Sequence, residues 1–329
     1  MKPILLALTL VCSSLIHAES YSDDEALAGI YDQVLKTNAA QAIGACSSLQ
    51  EALGGGIEGL PYETAFSELV VAWKQVEATY MLGSIDVAAI DFPTYIDMFH
   101  MGNEDINQSL ARALDGDSEP KTALFKNAYK TIGALEYLLY QEAKSPRQLA
   151  FAQVATDNLC RRFGDIAQVL DDAQGDYMNN PDKSTALLLN ALVESVYKTR
   201  EWRVGDPAGL SRKYGGSPDP ARAEYRLSGQ SLPAIRAILA THQQMIGEDA
   251  QPNLATIAYN HGADEAIALA QGDLLTAIAA AEVMEVGEDL TPENAQALFD
   301  AMSALQTDYY QHLVKSLDVV AKILDADGD

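Results

Sequence analysis

Histidine is scarce in this chain, five in 329 residues, and cysteine is scarcer still at three. There is no His-Glu-x-x-His, so the usual helical zinc-protease arrangement is missing. Neither a Gly-x-Ser-x-Gly elbow nor a Walker phosphate loop occurs. The absence of Cys-x-x-Cys removes the usual haem-attachment, zinc-ribbon and thioredoxin signals. Beyond the short N-terminal run Ile4 to Leu10, no apolar stretch approaches the length of a membrane span. Aromatic residues make up only 7%, and no segment shows the alternation of a half-buried strand. Basic residues are few as well: 22 against 47 acidic ones, for a net charge of −25. Such a field repels nucleic acid and anionic membranes and attracts cations or basic partners, besides serving solubility.

What is present begins with an export signal over residues 1–18. Lys2 supplies the positive charge, Ile4 to Leu10 the apolar stretch, and Ile16-His17-Ala18 a small-residue cleavage site. The mature chain is predicted to start at Glu19 and to be a soluble exported protein, most simply periplasmic. Val11 before Cys12 suits lipoprotein processing poorly. Four histidines then remain, His100, His242, His261 and His312, with Cys46 and Cys160 in a compartment where disulfides persist. Their pairing is possible, though a wide sequence separation says nothing about distance.

Apolar residues at three- and four-residue spacing recur almost throughout, and alanine and leucine are abundant, which predicts an all-α protein. Helices are expected over Glu25 to Leu53 (one or two), Tyr62 to Gly83, Lys121 to Glu142, Arg147 to Leu170 and Thr185 to Arg203. Further helices are expected over Leu232 to Ile246, Asn253 to Met284 (with a break near Gly272) and Pro292 to Leu324, where Thr291 and Pro292 form a good start. The glycines at 54, 56 and 59 match Gly-x-Gly-x-x-Gly, but no strand precedes them, so a nucleotide site is not supported. The terminal Asp325-Ala326-Asp327-Gly328-Asp329 resembles the start of a calcium loop without its remaining ligands. The reading is two packed helical bundles, 19–182 and 183–329, with a long turn-rich loop about 203–222.

The densest chemistry lies in Asp91 to Asp105. Asp91 and Pro93 suggest a helix start, and on a helix Asp97, His100 and Glu104 would share one face within roughly 60°. An imidazole and two carboxylates on one face suit zinc or iron. A surface hydrogen bond between neighbours would produce the same spacing.

Four segments together resemble the imelysin-like family of bacterial exported proteins: Ala72-Trp73-Lys74-Gln75-Val76-Glu77-Ala78, Asp91 to Asp105, Ile132 to Tyr140, and Glu224 to Leu232. The resemblance implies two helical bundles in a pseudo-two-fold arrangement, a functional site where they meet, a periplasmic or outer-membrane context and a link to iron uptake. Some members of that family carry a peptidase label. Its hallmark is Gly-x-His-x-x-Glu. Here Glu136 holds the glutamate position, Gly133 stands where the histidine should be, and Thr131 replaces the leading glycine. Glycine offers no side-chain ligand. Either the site is lost, or His100 supplies the imidazole from a neighbouring helix.

His100, Glu104 and Glu136 are therefore the candidate metal ligands. Trp73, Glu77, Asp97, Arg226 and Ser228 are the candidate cleft residues, although Glu136 and Arg226 could equally be structural ion-pair members. The leading function is binding of iron, another divalent cation or an iron-bearing ligand in uptake, with a periplasmic or outer-membrane protein as a further partner. A protein-interaction module without metal is the alternative. A metallopeptidase comes last, because hydrolysis needs a bound metal with an open position.

Overall fold

The computed structural model describes residues 21–55, 61–102, 104–141, 145–250 and 252–321. The export signal at 1–18 and the acidic terminus Asp325 to Asp329 lie outside the described residues. Among the described residues every regular element is helical.

Ser22 opens the first helix with a reciprocal capping box: it accepts from the Glu25 amide while Glu25 accepts from its own. The chain runs through Asp23–Gly29 and a π-helical stretch, Ile30–Lys36, into Thr37–Gly54. Pro61–Ala78 follows, with Phe66, Leu69, Val70 and Trp73 fully buried, as its spacing predicted. Thr37–Gly54 packs against both Pro61–Ala78 and the long helix Pro146–Met178, on which Ile132–Tyr140 also lies. Cys46 and Cys160 form a disulfide, with Cα atoms 5.5 Å apart, that staples Thr37–Gly54 to Pro146–Met178.

The second group comprises Pro181–Lys198, Ser231–Ile246, Asp264–Glu282 and Pro292–Thr307. Thr291 caps the last of these in a box with Asn294. The two groups join where Pro61–Ala78 lies against Ser231–Ile246, and one hydrophobic core runs through both. No helix among the described residues is long and apolar enough to cross a membrane.

Several boundaries differ from the expectation. The single helix expected over Lys121 to Glu142 is instead Pro120–Ala123, a 3-10 turn Asn127–Lys130 and Ile132–Tyr140, which Thr131 caps. The expected Asp91–Asp105 helix is only Phe92–Ile96, and a new helix starts at Ile106–Asp115 with Asp105 as its cap. Between them Asp97 is extended, and His100 and Gly102 take positive φ of 63° and 76°. Asp97, His100 and Glu104 therefore do not share a helix face. The break expected near Gly272 falls instead at Gly262 (φ 70°), between Leu254–Asn260 and Asp264–Glu282.

A further difference is the loop expected from about residue 203. The backbone stays helical through a π-helical stretch, Thr199–Gly205, and Asp206–Ala208. Gly209 then ends it at φ 67°, where a Cβ would sit 2.5 Å from the Pro218 amide nitrogen. The π-helical stretch carries Trp202 and Arg203 to the site described next.

Candidate functional site

At the centre of the molecule, Lys74 on Pro61–Ala78 has no exposed surface. Its Nζ donates to Glu77 at 2.6 Å, Asp97 at 2.9 Å and Glu224 at 2.6 Å. Arg203 completes the cluster, with Nε donating to Glu224 at 2.7 Å and Nη2 to both Glu77 oxygens at 2.8 and 2.9 Å. The Trp73 indole (3.1 Å) and the Tyr225 hydroxyl also donate to Asp97 Oδ2, and the Phe99 amide donates to Oδ1 at 2.9 Å.

Burial acts to raise the pKa of Asp97, but the Lys74 charge and the hydrogen bonds from Tyr225, Lys74 and Phe99 win, and the carboxyl sits well below its ordinary range. Burial and Arg203 act to lower Lys74, yet the three carboxylates hold it above its usual value. Two cations against three carboxylates leave one unit of negative charge in a buried cluster.

Asp97, Glu224 and Tyr225 also line a cavity of about 400 Å³, walled by segments around Phe99, Gly133 and Arg222. That size falls within the range of small-molecule sites. Gly133 is the open point of the wall, since a Cβ built there meets nothing within 4 Å. One turn on, Glu136 is only 6% exposed. Its Oε1 accepts from the Ser228 amide at 2.8 Å and the Ser228 hydroxyl at 2.6 Å, while Oε2 has no partner among the described residues. Burial pushes this carboxyl up to about 7 against the Ser228 hydrogen bonds, and the charges of Glu224 and Asp97 add to the rise.

His100 stacks flat on Trp202, with ring centroids 4.7 Å apart, and its Nε2 lies 2.6 Å from Asp206 Oδ2. The two groups are in close contact without the geometry of a hydrogen bond, since Oδ2 has no hydrogen-bond partner. His100 and Tyr225 (φ 52°) are two of the three described non-glycine residues at positive φ, a backbone cost of order 1–2 kcal/mol each. Strain of this kind gathers at this cavity.

Asp97, His100 and Glu136 thus reach one cavity, and Ser228 touches it through Glu136. Trp73 and Glu77 lie behind Asp97, in the ion-pair cluster. Glu104 is elsewhere: it accepts from Lys126 (2.7 Å), Tyr129 (2.7 Å) and Ser109 (2.9 Å) near the surface, and those bonds lower it to about 2. Its placement follows from the ended helix, which turns the chain at His100 and Gly102. Arg226 is also outside. It is half-exposed and pairs with Asp289 at 3.2 Å, because the turn at Tyr225 sends Glu224 and Tyr225 inward and their successor outward.

Lys74, Arg203, Asp206, Glu224 and Tyr225 did not stand out in the sequence. Lys74, Glu224 and Tyr225 nevertheless sit inside the quoted segments, and Lys74 and Glu77 are one helical turn apart. Among the described residues no group of three or more His, Cys, Asp and Glu side chains is placed to hold a metal ion. The carboxylates that do converge have Lys74 Nζ and Arg203 where a cation would go. The set His100, Glu104 and Glu136 does not fit a metal either, since Glu104 has other partners outside the cavity wall.

The imelysin family model matches residues 58–318. No curated protein matches the chain significantly. Among solved structures, an imelysin-like protein from Psychrobacter arcticum 273-4 superposes with a TM-score of 0.75 at 17% identity, covering 91% of this chain and 96% of that one. A protein named as an iron-regulated protein A precursor, from Parabacteroides distasonis ATCC 8503, gives 0.68 at 14% identity, covering 90% and 95%. At these identities the likeness is one of fold.

Proposed function

Because the chain belongs to the imelysin family, we propose that it is an exported binding protein that takes an iron-bearing ligand of positive charge into the cavity beside Glu136, in the service of bacterial iron uptake. The observation that carries this is the unpartnered Oε2 of a buried glutamate facing a cavity of about 400 Å³. A carboxylate oxygen with no protein donor, on a side chain that lines a cavity, is open to a donor from a ligand.

A chelate suits the cavity better than a bare ion. A bare ion needs several protein donors at fixed distances, whereas a chelate brings its own and needs only shape, charge and a few hydrogen bonds. Gly133 enlarges the space at the point where the family's histidine would project. The resemblance to an iron-regulated precursor supports the link to iron and to export. Periplasmic residence, with an outer-membrane association, follows from the same reading. Peptidase activity is not part of this reading, because Gly133 stands where the family's histidine would offer a ligand beside Glu136.

The test is native mass spectrometry with elemental analysis of untagged protein released from the periplasm of its own cells, grown with and without iron. A bound small molecule, carrying iron and lost in Glu136→Gln, is expected. Ligand-free protein under both conditions, together with a thermal midpoint that ferric chelates do not move, would refute the proposal.

A further inference from the structure

The charge around the cavity has a consequence for what it recognises. Four carboxyl groups line it, Asp97, Glu136, Asp206 and Glu224, against His100 and Arg222. Arg222 is already engaged: it lies over the Tyr214 ring at 3.9 Å, donates to the Ser217 carbonyl at 2.6 Å and faces Asp219. Lys74 and Arg203 answer Asp97, Glu77 and Glu224 incompletely, as counted above. Glu136 has only neutral donors, both from Ser228, and both on one oxygen. The other oxygen has no protein donor and belongs to a side chain that lines the cavity, with the negative charges of Glu224 and Asp97 close enough to bear on it.

Phe99 and Ile106 add carbon surface to the same wall. An anionic group entering here meets like charge. A neutral one gains a hydrogen bond but no Coulomb attraction. A group that donates hydrogen bonds and carries positive charge gains both.

We infer that the cavity recognises an organic cation, an ammonium or guanidinium group seated on Glu136 Oε2 with its apolar body against Phe99 and Ile106. The inference rests on the cavity being a ligand site and names the chemical handle by which the ligand is held. A metal carried by the ligand plays no part in this contact. The fit concerns the organic portion alone.

Three probes of one shape test it: phenethylammonium, 2-phenylethanol and 3-phenylpropanoate, titrated at pH 8 by ligand-observed NMR against the full mature chain and against Glu136→Gln. The cation should bind about tenfold or more tightly than either other probe, the gain expected of one charge-assisted hydrogen bond. In Glu136→Gln that preference should disappear, while 2-phenylethanol binding and the thermal midpoint confirm an intact cavity and fold. Equal binding of the three probes, preference for the anion, or a cation preference that survives Glu136→Gln overturns the inference. If iron-bearing material is recovered from the periplasm and the probes show no cation preference, this inference fails and the binding proposal stands. If nothing binds by either route, both fail.

Discussion

Replacing Glu136 by glutamine should stabilise the protein, increasingly as the pH rises from 4.5 to about 7. The folded carboxyl is raised from 4.5 to about 7, mainly by burial. An unfolded chain would ionise it near 4.5, so between that value and about 7 the folded state holds a proton that the unfolded state has released. Stability from this group is therefore full below pH 4.5, falls as pH rises, and reaches its lowest level above pH 7. At about 1.4 kcal/mol per pH unit, the loss accumulates to about 3 kcal/mol by pH 8. Glu136→Gln abolishes the ionisation while keeping an oxygen for the two Ser228 donors, so the variant should exceed the parent by about 3 kcal/mol at pH 8 and match it at pH 4.5. For a chain of this size that corresponds to about 5 °C in thermal midpoint. Urea titrations of parent and variant at pH 4.5, 6, 7 and 8 measure it directly. Ser228→Ala supplies an internal check, because removing the hydroxyl that lowers this carboxyl should move the fall in stability to higher pH. Parallel stability curves for parent and Glu136→Gln across that range, or a variant less stable at pH 8, would refute the reasoning.

Other variants probe the frame around the cavity. Lys74→Met leaves three buried carboxylates facing Arg203 alone and should cost about 3–5 kcal/mol at pH 7, less as the pH falls and the stranded carboxyls take up protons, measured by denaturant unfolding. In the parent, Asp97 is depressed, so its contribution is present above the ordinary carboxylate range and lost on acidification. The double change Cys46→Ser with Cys160→Ser should lower stability by about 4–5 kcal/mol through the unfolded chain, since the bridge closes a separation of 114 residues; a parent insensitive to reductant in the same urea assay would contradict this. Gly133→His should fold without a clash, because a Cβ there meets nothing within 4 Å. It places an imidazole one turn from Glu136, so zinc at a hundred times its dissociation constant should add about 2.7 kcal/mol to that variant and nothing to the parent.

The helical architecture was legible because it depends on local chemistry. Thr291, Pro292 and Asn294 announce a helix start from adjacent positions, and the structure closes that capping box. Phe66, Leu69, Val70, Trp73, Val76 and Tyr80 announce a buried face by spacing, and all are buried but Tyr80, which is partly so. The Asp91 segment was not legible, because what ends its helix is distant in sequence. Asp97 leaves the helix to meet Trp73 and Lys74, more than twenty residues earlier, and Tyr225, 128 residues later. No periodicity within Asp91 to Asp105 encodes those partners. Pro207 and the glycines from 205 read as loop, yet a π-helical turn carries the backbone through to Ala208, and only Gly209 ends it. The candidate site was half visible for the same reason: Glu136 and Ser228 could be nominated singly, but their contact is made across 92 residues.

The buried cluster explains why a chain so rich in carboxylates need not hold a metal where they converge. Lys74 and Glu77 come from Pro61–Ala78, Asp97 from the end of Phe92–Ile96, Arg203 from the π-helical stretch, and Glu224 from the loop before Ser231–Ile246. Removing any one of these charges strands the others in a place where water cannot answer them, so the four segments are held in one relative position. Those same segments carry Phe99, His100, Asp206 and Tyr225 to the cavity wall. The ion pairs fix the geometry of the cavity and use up the acidity of Glu77, Asp97 and Glu224 in doing so. Glu136 and Asp206 each keep one oxygen at the cavity wall without a hydrogen-bond donor, and Glu136, whose donors are both neutral, is the group through which a ligand's charge would be felt.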